Sequence, residues 1–491
     1  MGYYCYMLEC TNGAFYSGWA RDPIQRFKVH LKGKGAHYTR LNPPHRIVYI
    51  EELPSWGAAL KRERAIKKLS HPQKLALLSN TELNIVDQFK DDTFPSATKH
   101  AVEVLSPGRV NMLGEHIDYN DGIVLPAAID LFVRLSAKRL DTPILKLTAT
   151  DFEQSVEISL DNLEQKRDLS GEPLPAFAMY PAGVAWALQQ AGYQPSGMEI
   201  AYTSEIPIGA GLSSSAAVEV GFARVWDYFG GWNLSGVQIA KLCQVAENQF
   251  VGVQSGLMDQ FACAMGVKDH ALRFDCRSFD WSAIRLPAGT SIIIADSDVR
   301  RSLAASAYNE RRTDCETAVR LLKQWLPEIT SLRDVTPAQL KAHLHHLPSR
   351  VSMRALHVVS EIDRVQKSLK CLEKDDAVGF GKLMDASHYS LKDLYEVSTP
   401  ELDLLVSIAM TLKGCYGARL TGAGFGGCTV NLVATAKVED FCKYLKREFH
   451  RHTQKDLAIY QCQAADGARV LQGAELLAQS TRTDNQQEQT N

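Results

Sequence analysis

Two acids set in an otherwise apolar or neutral stretch, Glu247 and Asp259 of "AENQFVGVQSGLMDQFACAMG" (residues 246–266), have the character of a metal ligand and a general base. Each taken singly is equally a helix-capping or solvated acid. A second group, Arg109, Glu115, His116 and Asp118, falls within "SPGRVNMLGEHIDYNDGIVLPAAID" (106–130), a stretch broken by Gly108 and Gly114. Such a loop turns several polar side chains toward one small polar ligand. A sugar, with a hydroxyl on nearly every carbon, needs such a ring of donors and acceptors. The plainer alternative is a solvated loop whose charges pair among themselves.

Between these groups lies "EIPIGAGLSSSAAVEVG" (205–221), where Gly209, Gly211, Leu212, Ser213, Ser214 and Ser215 lead into an amphipathic helical pattern. Small residues let the backbone approach a ligand, and free N–H groups at a helix start attract anions, phosphate first among them. It is not a Walker A loop, which ends in Gly-Lys-Ser/Thr so that a lysine can reach the outer phosphates. A glycine-rich turn capped by Ser213 is the alternative. Further on, "ARLTGAGFGGCTVNLV" (418–433) runs Gly422, Gly424, Gly426 and Gly427 into an alternating apolar strand, a pattern shared with a tight hairpin.

The elements that carry these groups belong to a chain of 491 residues, 45% hydrophobic and 22% charged, long enough for more than one domain. Residues 1–80 hold 13 Lys+Arg against 5 Asp+Glu, a balance of +8, and the remainder holds 41 against 51, a balance of −10. Two different surfaces have been joined. The seam is expected near residue 81, after the basic helix "WGAALKRERAIKKL" and before a fresh helical pattern, "NIVDQFKDD". After about 476 the chain is polar and without periodicity, so 477–491 is expected to be a disordered tail. No basic-then-apolar leader is present, and "IVLPAAIDLFV" (123–133) is too short and too interrupted by Asp130 to span a membrane; a cytoplasmic protein is expected. The 11 cysteines lack any C-x-x-C pair, which argues against a disulfide framework or a zinc site.

In the N-terminal part, "YYCYMLECTNGAFYSGWARDPIQRFKVHLKGKGAHYTR" reads as a strand, a turn at Asn12-Gly13, a returning strand and a basic helix on which Arg26 and His30 share a face. Glu63 is the only acid within "LKRERAIKKL", where it either pairs within its helix or serves chemistry.

Three segments together, "GRVNMLGEHIDYN", "PIGAGLSSSAA" and "LTGAGFGGCTV", resemble the galactokinases of the GHMP kinase superfamily, and connecting text such as "SLAASAYNERRTDCE" and "HYSLKDLYEVSTPELD" extends the resemblance over residues 84–476. The resemblance implies a two-lobed α+β fold with the active site between lobes. It implies transfer of the ATP γ-phosphoryl group to the anomeric C1 hydroxyl of D-galactose, giving galactose 1-phosphate and ADP, with Mg2+ beside the 209–215 ATP loop. It assigns Asp259 to the sugar proton, Arg109 to charge neutralisation, Glu247 and a hydroxyl of the serine run, taken as Ser214, to the metal, and Glu115, His116, Asp118 and Tyr308 to the sugar. Ala210, Ile117 and Gln254-Ser255 depart from the usual glycine, threonine and Pro-Cys without removing a catalytic group. A kinase for a neighbouring sugar such as N-acetylgalactosamine, or a non-catalytic galactose and ATP sensor, are the rival readings; the intact "GLSSSAA" favours the enzyme.

Residues 1–80 resemble the small stand-alone GIY-YIG nuclease-like proteins, with the name motifs degenerate as Cys5-Tyr6-Met7 and Tyr16-Ser17-Gly18. That resemblance implies a small α/β domain ahead of the kinase, with Tyr6, Tyr16, a phosphate-binding Arg26 and a metal-binding Glu63 as its site and DNA as a partner.

Overall fold

The computed structural model describes residues 2–10, 15–31, 35, 36, 38, 39, 44–69, 74, 77, 101–300 and 304–471. The expected turn at Asn12-Gly13, the seam near 81, the helical pattern that follows it and the tail at 477–491 lie outside the described residues. The N-terminal domain and the stretch Val102–Val470 form separate units.

In the N-terminal domain, strand Tyr3–Cys10 is the centre of a three-stranded antiparallel sheet, flanked by Phe15–Ala20 and Pro44–Leu53. Side chains alternate across a strand, and here both faces are covered. Tyr6 and Leu8 pack with Phe27 of helix Pro23–Leu31, whereas Cys5 and Met7 pack with Ile66 of helix Trp56–Lys67. The second helix starts at Ser55, whose hydroxyl accepts from the Ala58 N–H at 3.2 Å.

The larger unit joins two α+β lobes. The first is built on a six-stranded sheet in the order Arg469–Val470, Ala101–Asn111, Pro126–Arg139, Met198–Ser204, Ile144–Ala149, Gln154–Ser159. Helices Ser214–Gly230 and Met258–Met265 pack on it, helix Ala176–Gln190 packs against the first of these, and Phe261 of Met258–Met265 stacks on Phe274 with ring centroids 3.8 Å apart. The second lobe has an antiparallel four-stranded sheet, Cys415–Leu420, Cys428–Ala434, Thr290–Asp296, Ala458–Cys462, with helices that include Pro400–Thr411 and Val438–Thr453. Strand Cys428–Ala434 is buried at every position but its last, rather than alternating, because it lies inside this sheet with both faces covered. Among the described residues the cysteines are all free thiols, and no helix is long and apolar enough to cross a membrane. The stretch expected to be too short for a span forms strands Ile123–Val124 and Pro126–Arg139.

Candidate active site

The serine run does not act as a simple cap. Ser213 occupies the N-cap position of helix Ser214–Gly230 in the left-handed conformation, φ +58°, and its side chain makes no capping bond. Its hydroxyl instead donates to Asp259 Oδ2 at 2.5 Å. That carboxylate opens the short helix Met258–Met265 and also receives Arg109 in a forked pair, Nε to Oδ1 at 2.8 Å and Nη2 to Oδ2 at 2.7 Å. The third arm of Arg109, Nη1, donates to the Gly211 carbonyl at 2.7 Å. One buried guanidinium thus ties the acid to the glycine loop, and the fork holds the carboxylate plane in a single orientation. The third glycine segment closes on the same loop: at Gly422, φ +78°, a side-chain carbon would come 2.7 Å from the Gly211 carbonyl oxygen. Only glycine meets both the backbone conformation and the contact.

Arg109, Asp259, Glu115, His116, Asp118, Tyr308, Glu247 and Ser215 line one cavity of about 240 Å³. That volume is below the roughly 300 Å³ at which pockets for drug-sized ligands begin, and suits a small polar molecule. The walls are not equally available to a ligand. Glu115 accepts from Asn111 Nδ2 at 2.8 Å and from the Gly422 N–H at 2.5 Å, with Arg419 Nη2 3.2 Å away, so its carboxylate chiefly ties the 106–130 loop to the third glycine segment. His116 takes a left-handed backbone, φ +61°. Its Nε2 lies 3.2 Å from the Ala423 carbonyl, which can only accept, so Nδ1 accepts from the Tyr119 hydroxyl at 2.9 Å. Tyr119 in turn meets the Tyr395 hydroxyl at 2.8 Å. Asp118 points its carboxyl into the cavity. Burial, with the charge of Asp259 adding to it, lifts that carboxyl from 3.8 to about 7.

Glu247 sits on the π-helical turn Ala246–Val251 and is buried. Its carboxylate accepts from the Ser255 hydroxyl and from Gln260 Nε2, the latter at 2.7 Å. Burial above all, with Asp259 adding, raises its proton affinity, and the hydroxyls of Ser255 and Ser215 and the Gln260 amide hold it back. Of the three serines, Ser213 is engaged with Asp259 and Ser215 hydrogen-bonds Glu247 at the cavity wall, whereas Ser214 is not among the cavity-lining residues. Glu247 and Ser215 offer oxygen donors only, and among the described residues no cluster of three acids, histidines or cysteines forms a ready cage. This set fits Mg2+, which is commonly held by one or two protein oxygens together with substrate phosphates.

Several contributors carry no sequence signal. Glu361, wholly buried, accepts from the Gly114 N–H at 2.9 Å and from Ser387 at 2.8 Å, and so pins the cavity loop from below. Burial would raise its carboxyl, but Arg364, with His357 and Arg419, holds it down to about 2. Tyr180 comes from helix Ala176–Gln190, and Arg419 and Gln260 stand inside the quoted glycine-bearing segments at positions that carry no signal of their own.

In the N-terminal domain, Tyr6, Tyr16, Arg26 and Glu63 converge. The Tyr6 hydroxyl lies 3.1 Å from His30 Nε2, and the Tyr16 ring packs 5.1 Å from the His30 ring. Burial pushes the Tyr6 phenol well up, with Tyr16 and Glu63 adding to it, while Arg26 hydrogen-bonds it and opposes the shift. His30 is buried and falls to about 4, through burial and the Arg26 charge, so it is neutral. Glu63 does make the intrahelical pair: Lys67 Nζ donates to its Oε1 at 2.6 Å.

A glycine-rich loop under a helix start, a forked Arg–Asp pair and a polar cavity between two α+β lobes define a GHMP kinase, and the family models described as GHMP kinases N terminal domain and GHMP kinases C terminal match residues 179–267 and 368–451. A galactokinase galactose-binding signature matches residues 92–139. The galactokinase of Roseiflexus sp. is 46% identical over 374 residues, covering 76% of this chain and 94% of its own, and that of Fusobacterium nucleatum is 39% identical over 396 residues, covering 78% and 98%. The structure of Lactococcus lactis galactokinase complexed with galactose superposes with a TM-score of 0.73 at 32% identity, covering 78% of this chain and 98% of that one. The chain belongs to the galactokinase family. The model described as GIY-YIG catalytic domain matches residues 2–76, ahead of the kinase.

Proposed function

We propose that the chain phosphorylates the C1 hydroxyl of D-galactose with ATP and carries an N-terminal domain that binds nucleic acid. The observation that bears most weight is the Asp259–Arg109 fork at the mouth of the glycine loop, with Asp118 facing it across the cavity. In this reading the sugar lies against Asp118 and Tyr308 with its C1 oxygen beside Asp259. The Asp259 carboxylate accepts the C1 proton as the sugar oxygen bonds to the γ-phosphorus, and the bond from that phosphorus to the bridging oxygen breaks to release ADP. Arg109 orients the carboxylate through its forked pair and offers positive charge next to the transferring group. The loop from Gly209 through Ser215 receives the nucleotide phosphates on backbone N–H groups and hydroxyls. Glu247 and Ser215 would hold Mg2+, which when bound neutralises phosphate charge.

In the N-terminal domain, Arg26 would meet a backbone phosphate and Tyr6 or Tyr16 would position an attacking water. Glu63 offers a single carboxylate, which suits a hard cation shared with phosphate oxygens. A coupled assay of ATP consumption against a panel of sugars tests the kinase reading. Galactose-dependent turnover supports it. A preference for N-acetylgalactosamine, or sugar binding without turnover, would replace it with a related kinase or a sensor.

A further inference from the structure

Glu219 lies four residues beyond Ser215 on the Ser214–Gly230 helix, hence on the same face, and none of its surface reaches solvent. The charges that bear on it are those of Glu247 and Asp259, and no cation counters them among the described residues. Its Oε2 accepts from Gln260 Nε2 at 3.1 Å, and its Oε1 has no hydrogen-bond partner among the described residues. The same Gln260 Nε2 donates to Glu247 Oε2 at 2.7 Å. A single wholly buried amide nitrogen is therefore shared by two carboxyl groups, one of them facing the cavity.

We propose that Glu219 is a positioning residue for Glu247: by anchoring the Gln260 amide from behind, it keeps the Glu247 carboxylate turned toward Ser215 and the cavity. The inference rests on the reading of Glu247 and Ser215 as the magnesium-holding pair. A bare charge at Glu219 would be buried beside another acid with nothing to compensate it, so the side chain is carried as a neutral acid. Glu219 Oε2 accepts one hydrogen of the Gln260 amide nitrogen at 3.1 Å and Glu247 Oε2 accepts from the same nitrogen at 2.7 Å. With both hydrogens of its amide nitrogen engaged, Gln260 is held in one orientation, and Glu247 loses the freedom to turn away. Removing Glu219 releases that anchor while leaving the sugar side of the cavity untouched.

The test measures Mn2+ binding to the full chain in the presence of ADP by electron paramagnetic resonance, with galactose affinity followed separately by calorimetry. Outer partners of metal ligands typically govern about 10- to 100-fold in affinity, and Glu219→Ala is expected to weaken Mn2+ by that factor while galactose affinity stays within about twofold. Glu219→Gln, a neutral isostere with a donor and an acceptor, is expected to rescue binding to within about threefold of the parent. Unchanged Mn2+ affinity in Glu219→Ala would overturn the proposal, and so would a Gln variant as weak as the Ala variant. Should Glu219→Ala fail to fold, Gln260→Leu breaks the same relay from its middle and is expected to lose Mn2+ affinity with galactose binding kept; unchanged Mn2+ binding there also overturns the idea. Equal Mn2+ binding by the parent chain and Glu247→Gln would instead sink the metal-site reading itself.

Discussion

A side-chain carbon on Gly256 would lie 1.8 Å from Oδ2 of Asp118. The backbone at 256 therefore passes in direct contact with the carboxyl that faces the cavity. The residues around it serve the same site: Ser255 donates to Glu247, Asp259 receives Arg109 and Gln260 holds Glu247. A six-residue stretch, 255–260, thus sets the cavity-facing Asp118, the proposed base and the proposed metal ligand relative to one another.

Gly256→Ala is accordingly expected to displace Asp118 without unfolding the lobe, since the clash is with the far end of a side chain. The galactose KM should rise about tenfold or more, equivalent to roughly 1.4 kcal/mol or more of lost binding. The ATP KM should stay close to that of the parent chain. Steady-state kinetics with each substrate varied in turn check this, and equal losses in both would mean that the loop as a whole has collapsed.

Asp259→Asn keeps the shape of the side chain and one acceptor for Arg109 but cannot take the C1 proton. Assistance by a positioned base is typically worth about 10²- to 10⁴-fold, and kcat should fall within that range. Some loss of thermal stability is expected as well, because the buried guanidinium loses half of its fork. Turnover within about twofold of the parent would remove Asp259 from the base role. A loss of only roughly tenfold would assign most of the rate enhancement to Arg109 and the metal, since a loose phosphoryl-transfer transition state asks little of a base.

Asp118 carries a pH signature whose sign can be worked out. Its carboxyl is raised from 3.8 to about 7 in the fold, by burial first and by the Asp259 charge second. The folded chain then holds a proton that the unfolded chain has released, so this group's favourable contribution is complete below about pH 4 and lost as pH rises through about 7. Asp118→Asn cannot ionise and should gain stability relative to the parent between pH 5 and pH 8, as read from paired melting curves. Galactose affinity in the parent should rise over the same interval, because the ionised carboxylate accepts from sugar hydroxyls more strongly than the acid does. A parallel pair of melting curves would show that Asp118 is ionised throughout.

What is legible in the sequence follows from how local each feature is. Arg109, Ser213 and Asp259 sit beside glycines and serines that a helix or strand interior would not tolerate cheaply, so the loops announce themselves. The same is true of Tyr16-Ser17-Gly18 in the N-terminal sheet. Glu219 and Glu361 lie inside long helices among apolar neighbours, where an acid reads as a surface residue; only the packing of distant segments shows both to be wholly buried. The choice among the three serines is equally a matter of helix phase. Position 215, not 214, shares a face with Glu219 and turns toward Glu247, and that depends on where the first helical turn begins. Ser255 stands out only as a departure from the usual Pro-Cys, and its bond to Glu247 gives that departure a structural meaning.

The last prediction concerns the basic N-terminal domain, whose balance of 13 Lys+Arg against 5 Asp+Glu over residues 1–80 supports binding to nucleic acid. Each lysine or arginine set on a phosphate releases condensed counterions, so affinity of the full chain for duplex DNA should fall steeply as salt is raised. Arg26→Ala removes the proposed phosphate contact next to Tyr6 and should weaken binding, lower the salt slope by about one and reduce any cleavage. Glu63→Gln should spare binding, because it keeps the size and shape of the half-buried side chain and leaves Arg26 untouched. The same variant should abolish any magnesium-dependent nicking of supercoiled DNA, since the amide is a poor ligand for a hard cation. Neither change should affect galactose-dependent ATP turnover, because every residue assigned to that reaction lies beyond position 100. DNA binding that is absent, or that ignores salt, would leave the domain without a nucleic-acid role, whereas nicking that survives Glu63→Gln would place the metal elsewhere.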